Sequence, residues 1–328
     1  MNSLWLSNNK LINNNFIKEI DTSNTSNKTL LETDVCIVGA GIFGLTCAYY
    51  LSNLGYRVTV LEKDKIGEKT TGNTTAKITS QHGLFYSYLA NSYSQKFAQD
   101  YLEANEQAIK NIKNIIDKEK IKCDFEYKNS YIYTTKKEDL KFIKKEQKAI
   151  ENLGFNCEYV TKTGLPFEIE GAICFKNQAQ FHPLKYLNGL CHCIAKNNNE
   201  IYTNSTVFDV QKENDFYITF SNNFNVKSKY VIVATHYPFI NFPGFYFAKM
   251  YQSTSYLIAV DTKKTLFNGM YISATNPILS FRTANYNGKE LLLIGGGEHK
   301  TGQPTSYQNS YGMLEEEAKK YYPNCEIL

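Results

Sequence analysis

Arginine is almost missing from this sequence. Two residues, Arg57 and Arg282, stand against 34 lysines in a chain of 328. The net charge is only +4, and the lysines sit among acids, as in Lys136-Lys137-Glu138-Asp139, so no basic face for nucleic acid is expected. The eight cysteines include no C-x-x-C pair and no spacing that reads as a disulfide framework. Cys191-His192-Cys193 has the residue types of a metal site, but on a helix its two thiols point apart, and no metal is expected. Reduced thiols in a cytoplasmic protein are the simplest account. A secretory signal is also lacking: the first thirty residues are Asn-rich and polar, with Trp5 and Leu6 too brief for an apolar core segment. The longest apolar run, Val35 to Leu51, contains three glycines, a threonine and two tyrosines, which argues against a membrane span. No internal repeat is visible.

What is there reads as a globular protein, 42% hydrophobic and 21% charged, long enough for two modest domains or one large one with insertions. Asp34 to Val38 is a short apolar strand of the kind buried in a parallel sheet. Phe43 to Leu54 has helical spacing and stops at Gly55, and Arg57 to Leu61 is a second strand ending at Glu62. Together they make one βαβ unit. The chain is then helical from Tyr86 to roughly Lys120, strand-like at Tyr131 to Thr135, and helical again from Leu140 to Leu153. His182-Pro183 opens another helix. Strands are expected at Ile201 to Val210, Phe216 to Phe220 and Tyr230 to Ala234. Tyr256 to Val260, Ile278 to Arg282 and Leu291 to Ile294 form an antiparallel set, and Ser310 to Tyr322 a last helix.

Gly39, Gly41 and Gly44 form G-x-G-x-x-G directly after a strand and at the mouth of a helix. The first glycine permits the turn, the second lets backbone approach a pyrophosphate, and the third lets helix and strand pack closely. Glu62 ends the second strand, where a carboxylate accepts hydrogen bonds from a ribose diol. That acid disfavours a 2′-phosphorylated cofactor but does not separate NAD from FAD. Three further features do: the hydroxyl-rich loop Thr70 to Lys77, the small-residue end of the strand Tyr230 to Thr235, and the long insertion between them.

With DVCIVGAGIFGLTCAYYLSNLGYRVTVLEKD and GEKTTGNTTAKITSQHG as the most specific stretches, the sequence resembles the D-amino-acid oxidase and glycine oxidase superfamily of FAD-dependent oxidoreductases. It is most similar to the branch that often carries an appended Rieske domain. VIVATHYPF, FAKMYQSTSYLIAV and LLLIGGGEHKTG add weaker likeness. The resemblance implies an α/β fold: a Rossmann-like, glutathione-reductase-like FAD-binding domain over 34–85 and 165–245, after an N-terminal arm over 1–33. An interleaved substrate domain of antiparallel sheet plus helices would span 86–164 and 246–328. It implies FAD held by Gly39, Gly41, Ile42, Phe43, Gly44, Glu62, Lys63, Thr71, Thr74, Thr75, Ala76, Lys77, Val207, Ala234 and Thr235. Glu62 would take the adenosine ribose, and Val207 the adenine through its backbone.

The implied activity is oxidation of a C–N bond in an amine or amino acid by hydride transfer, with an electron-acceptor protein as a candidate partner. Lys77 is the expected positive neighbour of the flavin. Arg282, inside the apolar LSFRTA, offers a planar fork to a substrate carboxylate or a structural ion pair. His82 and His236 fall near an expected flavin edge, Tyr251 and Tyr256 near a substrate cavity, and His299 follows three glycines. Relatives continue past this point with a strand, a glycine loop and a helix, and these 328 residues hold no Rieske Cys–His pairs. The chain is therefore expected to be a fragment, or a shortened relative with a weakened flavin site. The rival readings are a non-catalytic flavin- or partner-binding remnant and, third, an NAD-dependent dehydrogenase.

Overall fold

Asp34 to Val38 is the buried end of a strand that begins earlier, at Leu30, in a computed structural model that describes residues 3–7, 17–18, 29–303 and 307–328. Most of the expected arm over 1–33 lies outside the described residues. Chain order gives β1 (Ile17–Lys18), β2 (Leu30–Val38), α1 (Ile42–Asn53), β3 (Val58–Leu61), β4 (Lys77–Ile78), α2 (Tyr86–Ser92), α3 (Gln95–Glu119) and β5 (Glu126–Thr134). Then come α4 (Leu140–Asn152), β6 (Glu158–Val160), β7 (Gly171–Gln180), α5 (Pro183–Lys196), β8 (Glu200–Tyr202), β9 (Val207–Glu213), β10 (Phe216–Ser221) and β11 (Asn225–Val233). The last part holds β12 (Ser253–Asp261), β13 (Met270–Ser273), β14 (Ser280–Tyr286), β15 (Lys289–Lys300), α6 (Tyr307–Tyr321) and β16 (Glu326–Ile327).

The chain divides into two compact units. The first comprises Met1–Thr74, Lys118–Cys123 and His182–Tyr251, and the second Thr75–Asp117, Asp124–Phe181 and Gln252–Leu328. The first crossover, expected at 85/86, falls at 74/75 because Lys77 and Ile78 pair with β7 in the second sheet. The return, expected at 165, falls at 181/182 because β7 belongs to that sheet throughout.

The first unit is built on a sheet of order β1-β8-β3-β2-β11-β10-β9. Its first five strands run parallel, and β10 and β9 add an antiparallel edge. A parallel strand needs cover on both faces, which is why β3 reads Val-Thr-Val-Leu and is buried at all four positions. Helix α1 crosses between β2 and β3, the βαβ unit expected from the sequence. It ends in a Schellman motif, with Tyr56 N–H donating to Leu51 O (3.1 Å) and Gly55 N–H to Ser52 O (3.2 Å). The strand expected over Ile201 to Val210 is split in two. Asn204 adopts left-handed backbone (φ 53°), and the Asn222 side chain accepts from Thr206 N–H at 2.8 Å.

The second unit has a mixed sheet of order β16-β12-β15-β14-β13-β5-β7-β4, with β6 also on β7. The expected antiparallel set is β12, β15 and β14. One core gathers Ile258, Leu292 and Ile294 of that set with Leu314 and Ala318 of α6. A second gathers Ile132, Ile173 and Phe175 with Leu89, Leu102, Ile143 and Ile150 of the helices. The long helix expected from Tyr86 is two helices, because Ser94 Oγ accepts from Phe97 N–H at 3.0 Å and starts a new one. Among the described residues no helix is long and apolar enough to cross a membrane.

Helix α2 has no cap from its own sequence. Its start is served instead by Glu146 of α4, fully buried, which accepts from Tyr86 N–H (2.6 Å) and Ser87 N–H (2.9 Å). Glu146→Ala leaves both donors without that acceptor and should lower unfolding free energy by about 3 kcal/mol in urea titration. A loss below about 0.5 kcal/mol would show that this end of α2 is satisfied in another way.

Candidate functional site

The glycine turn lies in the first unit. Gly39 has φ +110°, and a Cβ there would stand 2.7 Å from Ala234 O. A Cβ on Gly44 would stand 2.0 Å from Gly39 O and 3.2 Å from the Ala234 methyl. Both positions are therefore closed to side chains by the protein's own backbone. Gly41 differs. Its backbone is ordinary (φ −78°, ψ −175°), and a Cβ would meet only Thr71 Oγ1 at 3.5 Å, a normal contact. No described residue requires glycine at 41, so the room kept there points to something outside the protein.

Three more observations fit a diphosphate at this turn. Gly41 is the N-cap of α1 and has no side chain to cap it, so apart from one long bond the positive end of the helix dipole is open. Ile42 N–H reaches Thr71 Oγ1 at a long 3.3 Å. The Thr235 hydroxyl, at the end of β11, is buried with no hydrogen-bond partner among the described residues. Glu62 closes the turn from the other side, accepting from Ala40 N–H (2.7 Å) and Asp64 N–H (3.0 Å). Phe43 follows on α1 and is 61% exposed, and Lys63 is exposed beside Asp64.

The threonine-rich loop is held where the sequence shows no sign of it. Trp5, noted in the sequence only as too brief an apolar stretch for a signal core, is 1% exposed. Its Nε1 donates to Thr74 O at 2.7 Å, its ring meets His182 edge-on, and Ser3 Oγ donates to Gly72 O. A single aromatic in a polar stretch has no periodicity to betray it.

Thr75, Ala76 and Lys77 belong to the second unit. Lys77 Nζ donates to Tyr271 O (2.9 Å) and to Ser280 Oγ. Burial, and then the charge of Arg282, lower its amine from 10.5 to about 7. Arg282 is placed otherwise than as a fork held out to a carboxylate. It is 3% exposed and points into backbone: Nε donates to Thr283 O (2.9 Å), and Nη1 to Thr75 O (2.9 Å), Ala76 O (2.8 Å) and Phe181 O (3.4 Å). Lys77 and Arg282 are thus brought together within this unit.

The other expected residues are scattered. His82 is exposed with Nδ1 2.8 Å from the Tyr101 hydroxyl, and His236 is exposed with Nδ1 3.2 Å from Thr70 Oγ1. Val207 opens β9 opposite Ser221, where the register shifts. Tyr251 is 70% exposed in the first unit, whereas Tyr256 is buried in the second, stacked on His299.

A parallel sheet with a glycine turn, an open helix start and a terminal acid defines a Rossmann-type dinucleotide-binding domain. The chain belongs to the FAD dependent oxidoreductase (DAO) family, whose model matches residues 34–328. It is 35% identical over 288 residues to YhfW of Bacillus subtilis (strain 168), named for a Rieske 2Fe-2S iron-sulfur protein, covering 88% of this chain and 57% of YhfW. It is 25% identical over 220 residues to gamma-glutamylputrescine oxidoreductase of Escherichia coli (strain K12), covering 65% of this chain and 50% of that protein. Its fold is similar to glycine oxidase from Geobacillus kaustophilus, with TM-score 0.68 and 15% identity over 90% of this chain and 82% of that one. The chain thus spans about half the length of the curated relatives it matches. FAD is the family's cofactor, which sets aside the NAD reading.

The lowered Lys77 amine has a consequence that needs no cofactor. Between about pH 7 and 9 the unfolded chain keeps a proton that folded Lys77 has lost, so stability rises with pH across that window. Melting temperatures followed from pH 6.5 to 9 should show this rise in the wild type and a flatter profile in Lys77→Met. Parallel profiles would mean that the amine titrates normally.

Proposed function

We propose that this chain forms the flavin- and substrate-binding part of an oxidoreductase that removes a hydride from carbon bearing nitrogen, in an amine or an amino acid. The observation that carries the reading is Gly41, a glycine that the protein's own packing does not need. Two relatives named for a γ-glutamyl amine and for glycine support the nitrogen-bearing substrate.

In this reading the backbone of Gly39, Gly41, Ile42, Phe43 and Gly44, with the α1 dipole, binds the diphosphate. Glu62 accepts from the ribose hydroxyls through the lone pairs that Ala40 and Asp64 leave open, with Lys63 and Val207 near the adenosine. Thr71, Thr74, Thr75 and Ala76 line the cofactor, and the unpartnered Thr235 hydroxyl, beside Ala234, finds its acceptor there. Bound FAD supplies the hydride acceptor. Lys77 donates a hydrogen bond where negative charge grows during transfer, and that charge favours the protonated form of an amine that burial lowers to about 7 in the cofactor-free protein. Arg282 is committed to four backbone carbonyls, whereas Lys77 bonds one carbonyl and one hydroxyl, which favours Lys77 over Arg282 as the catalytic residue. The likeness to YhfW supports an electron-acceptor protein as partner, and eight unbridged cysteines support a reducing, cytoplasmic setting.

Purified protein should be yellow and release FAD on denaturation. Anaerobic addition of amines and amino acids should bleach the flavin with at least one of them. Uptake of FAD without bleaching by any would favour the non-catalytic reading. Gly41→Val should weaken FAD at least a hundredfold and leave the melting temperature of the cofactor-free protein within about 2 °C. Unchanged FAD affinity in that variant would move the cofactor elsewhere.

A further inference from the structure

Ala76 has a left-handed backbone (φ 54°) that an L-residue with a Cβ rarely adopts, and it is 3% exposed. Strain of this kind persists only where the surroundings over-determine it. Two sets of bonds do so here. Ala76 O accepts from Phe181 N–H at 3.4 Å, the continuation of the β4–β7 ladder, and from Arg282 Nη1 at 2.8 Å. The same guanidinium nitrogen takes Thr75 O at 2.9 Å and Phe181 O at 3.4 Å. Three carbonyls, two just before β4 and one just after β7, therefore converge on one nitrogen of a buried cation.

We propose that Arg282 is a positioning residue: its guanidinium clamps the Thr75 and Ala76 carbonyls, holds Ala76 left-handed, and so aims Lys77. The inference rests on the functional reading above for what Lys77 is aimed at, but the clamp itself is independent of it. The residue after a strained position inherits its direction, so relaxation of Ala76 to negative φ would swing the Lys77 side chain off Tyr271 O and Ser280 Oγ. The clamp also accounts for an arginine in a chain that otherwise uses lysine. Arg57, the other one, is exposed and paired with Asp34, whereas Arg282 serves four carbonyls through two nitrogens, Nε on Thr283 O and Nη1 on the other three. A lysine ammonium presents one nitrogen at the end of a flexible stem. The charge of Arg282 further opposes protonation of Lys77.

The test uses Arg282→Lys, Ala76→Gly, their combination, and Ala76→Val. Hydrogen–deuterium exchange of the peptide over 74–81 in cofactor-free protein reads the clamp directly, and equilibrium FAD binding reads its consequence. Arg282→Lys should speed exchange and weaken FAD, each at least tenfold. Adding Ala76→Gly should recover about fivefold of both, because glycine adopts positive φ without the penalty. Ala76→Val, with Arg282 intact, should weaken FAD at least tenfold, and it keeps the idea testable if Arg282→Lys does not fold. Unchanged exchange in Arg282→Lys, no recovery on adding Ala76→Gly, or unchanged FAD affinity in Ala76→Val would each overturn the proposal. A rise in substrate KM with exchange and FAD affinity unchanged would overturn it in favour of a carboxylate fork. If the wild type takes up no FAD, the functional reading fails while the exchange arm still decides the clamp.

Discussion

The closeness of α1 to the end of β2 is the constraint on which the candidate site depends. Gly44 brings the first turn of the helix against Gly39 O, at a separation that admits no Cβ, and Gly39 lies as tightly on Ala234 at the end of β11. Helix start, strand end and neighbouring strand end are thereby fixed as one body. The direction of the helix dipole and the places of the first N–H groups follow from that contact, not from a capping side chain. Glu62 completes the turn by accepting Ala40 N–H, so the carboxylate keeps a fixed distance from the helix mouth. A looser approach, with alanine at 44, would misdirect all of these groups together.

The parts of this arrangement legible in the sequence are those with a period or a local chemical rule. An apolar strand, three glycines at fixed spacing, a 3.6-residue helix and an acid at the next strand end each carry their own signal, and β2, α1 and β3 lie within a few residues of where those signals put them. The glycine after α1 and the serine before α3 are equally local, yet Ser94 was hidden inside a continuous helical stripe that hydrophobic spacing alone does not interrupt. The crossovers between units had no such signal. Lys77-Ile78 is a two-residue strand defined by its pairing with Gln180 and Ala179 of β7, far along the chain. Trp5 and Glu146 act through contacts of the same long range, and neither residue type predicts the backbone groups it serves.

Two buried cations beside one another in the second unit have opposite consequences. Arg282 keeps its proton when buried far more readily than lysine does, and it spreads its charge over several carbonyl bonds; even so, burial draws it down to about 9. Among the described residues Lys77 has a carbonyl and a hydroxyl as acceptors, both neutral, and its amine gives up its proton near neutrality. The pair divides its labour by chemistry: one cation is permanent and turned to backbone, the other is switchable and next to it. A lysine at 282 would blur that division, since two amines would then compete to be the neutral one.

Glycines in a binding turn can be sorted by what forbids the side chain. At 39 and 44 the forbidding atoms are the protein's own, so these residues belong to the fold and would be needed in a domain that bound nothing. At 41 the nearest protein atom is at contact distance and the backbone angles suit any residue. An unneeded glycine at a helix start carries a free-energy cost, of the order of 0.5–1 kcal/mol relative to alanine inside a helix and less at a cap. A turn evolved only for packing would have no reason to bear it. Steric room kept at the positive end of a helix, beside a buried hydroxyl with no partner among the described residues, suits an anionic group that approaches the backbone closely.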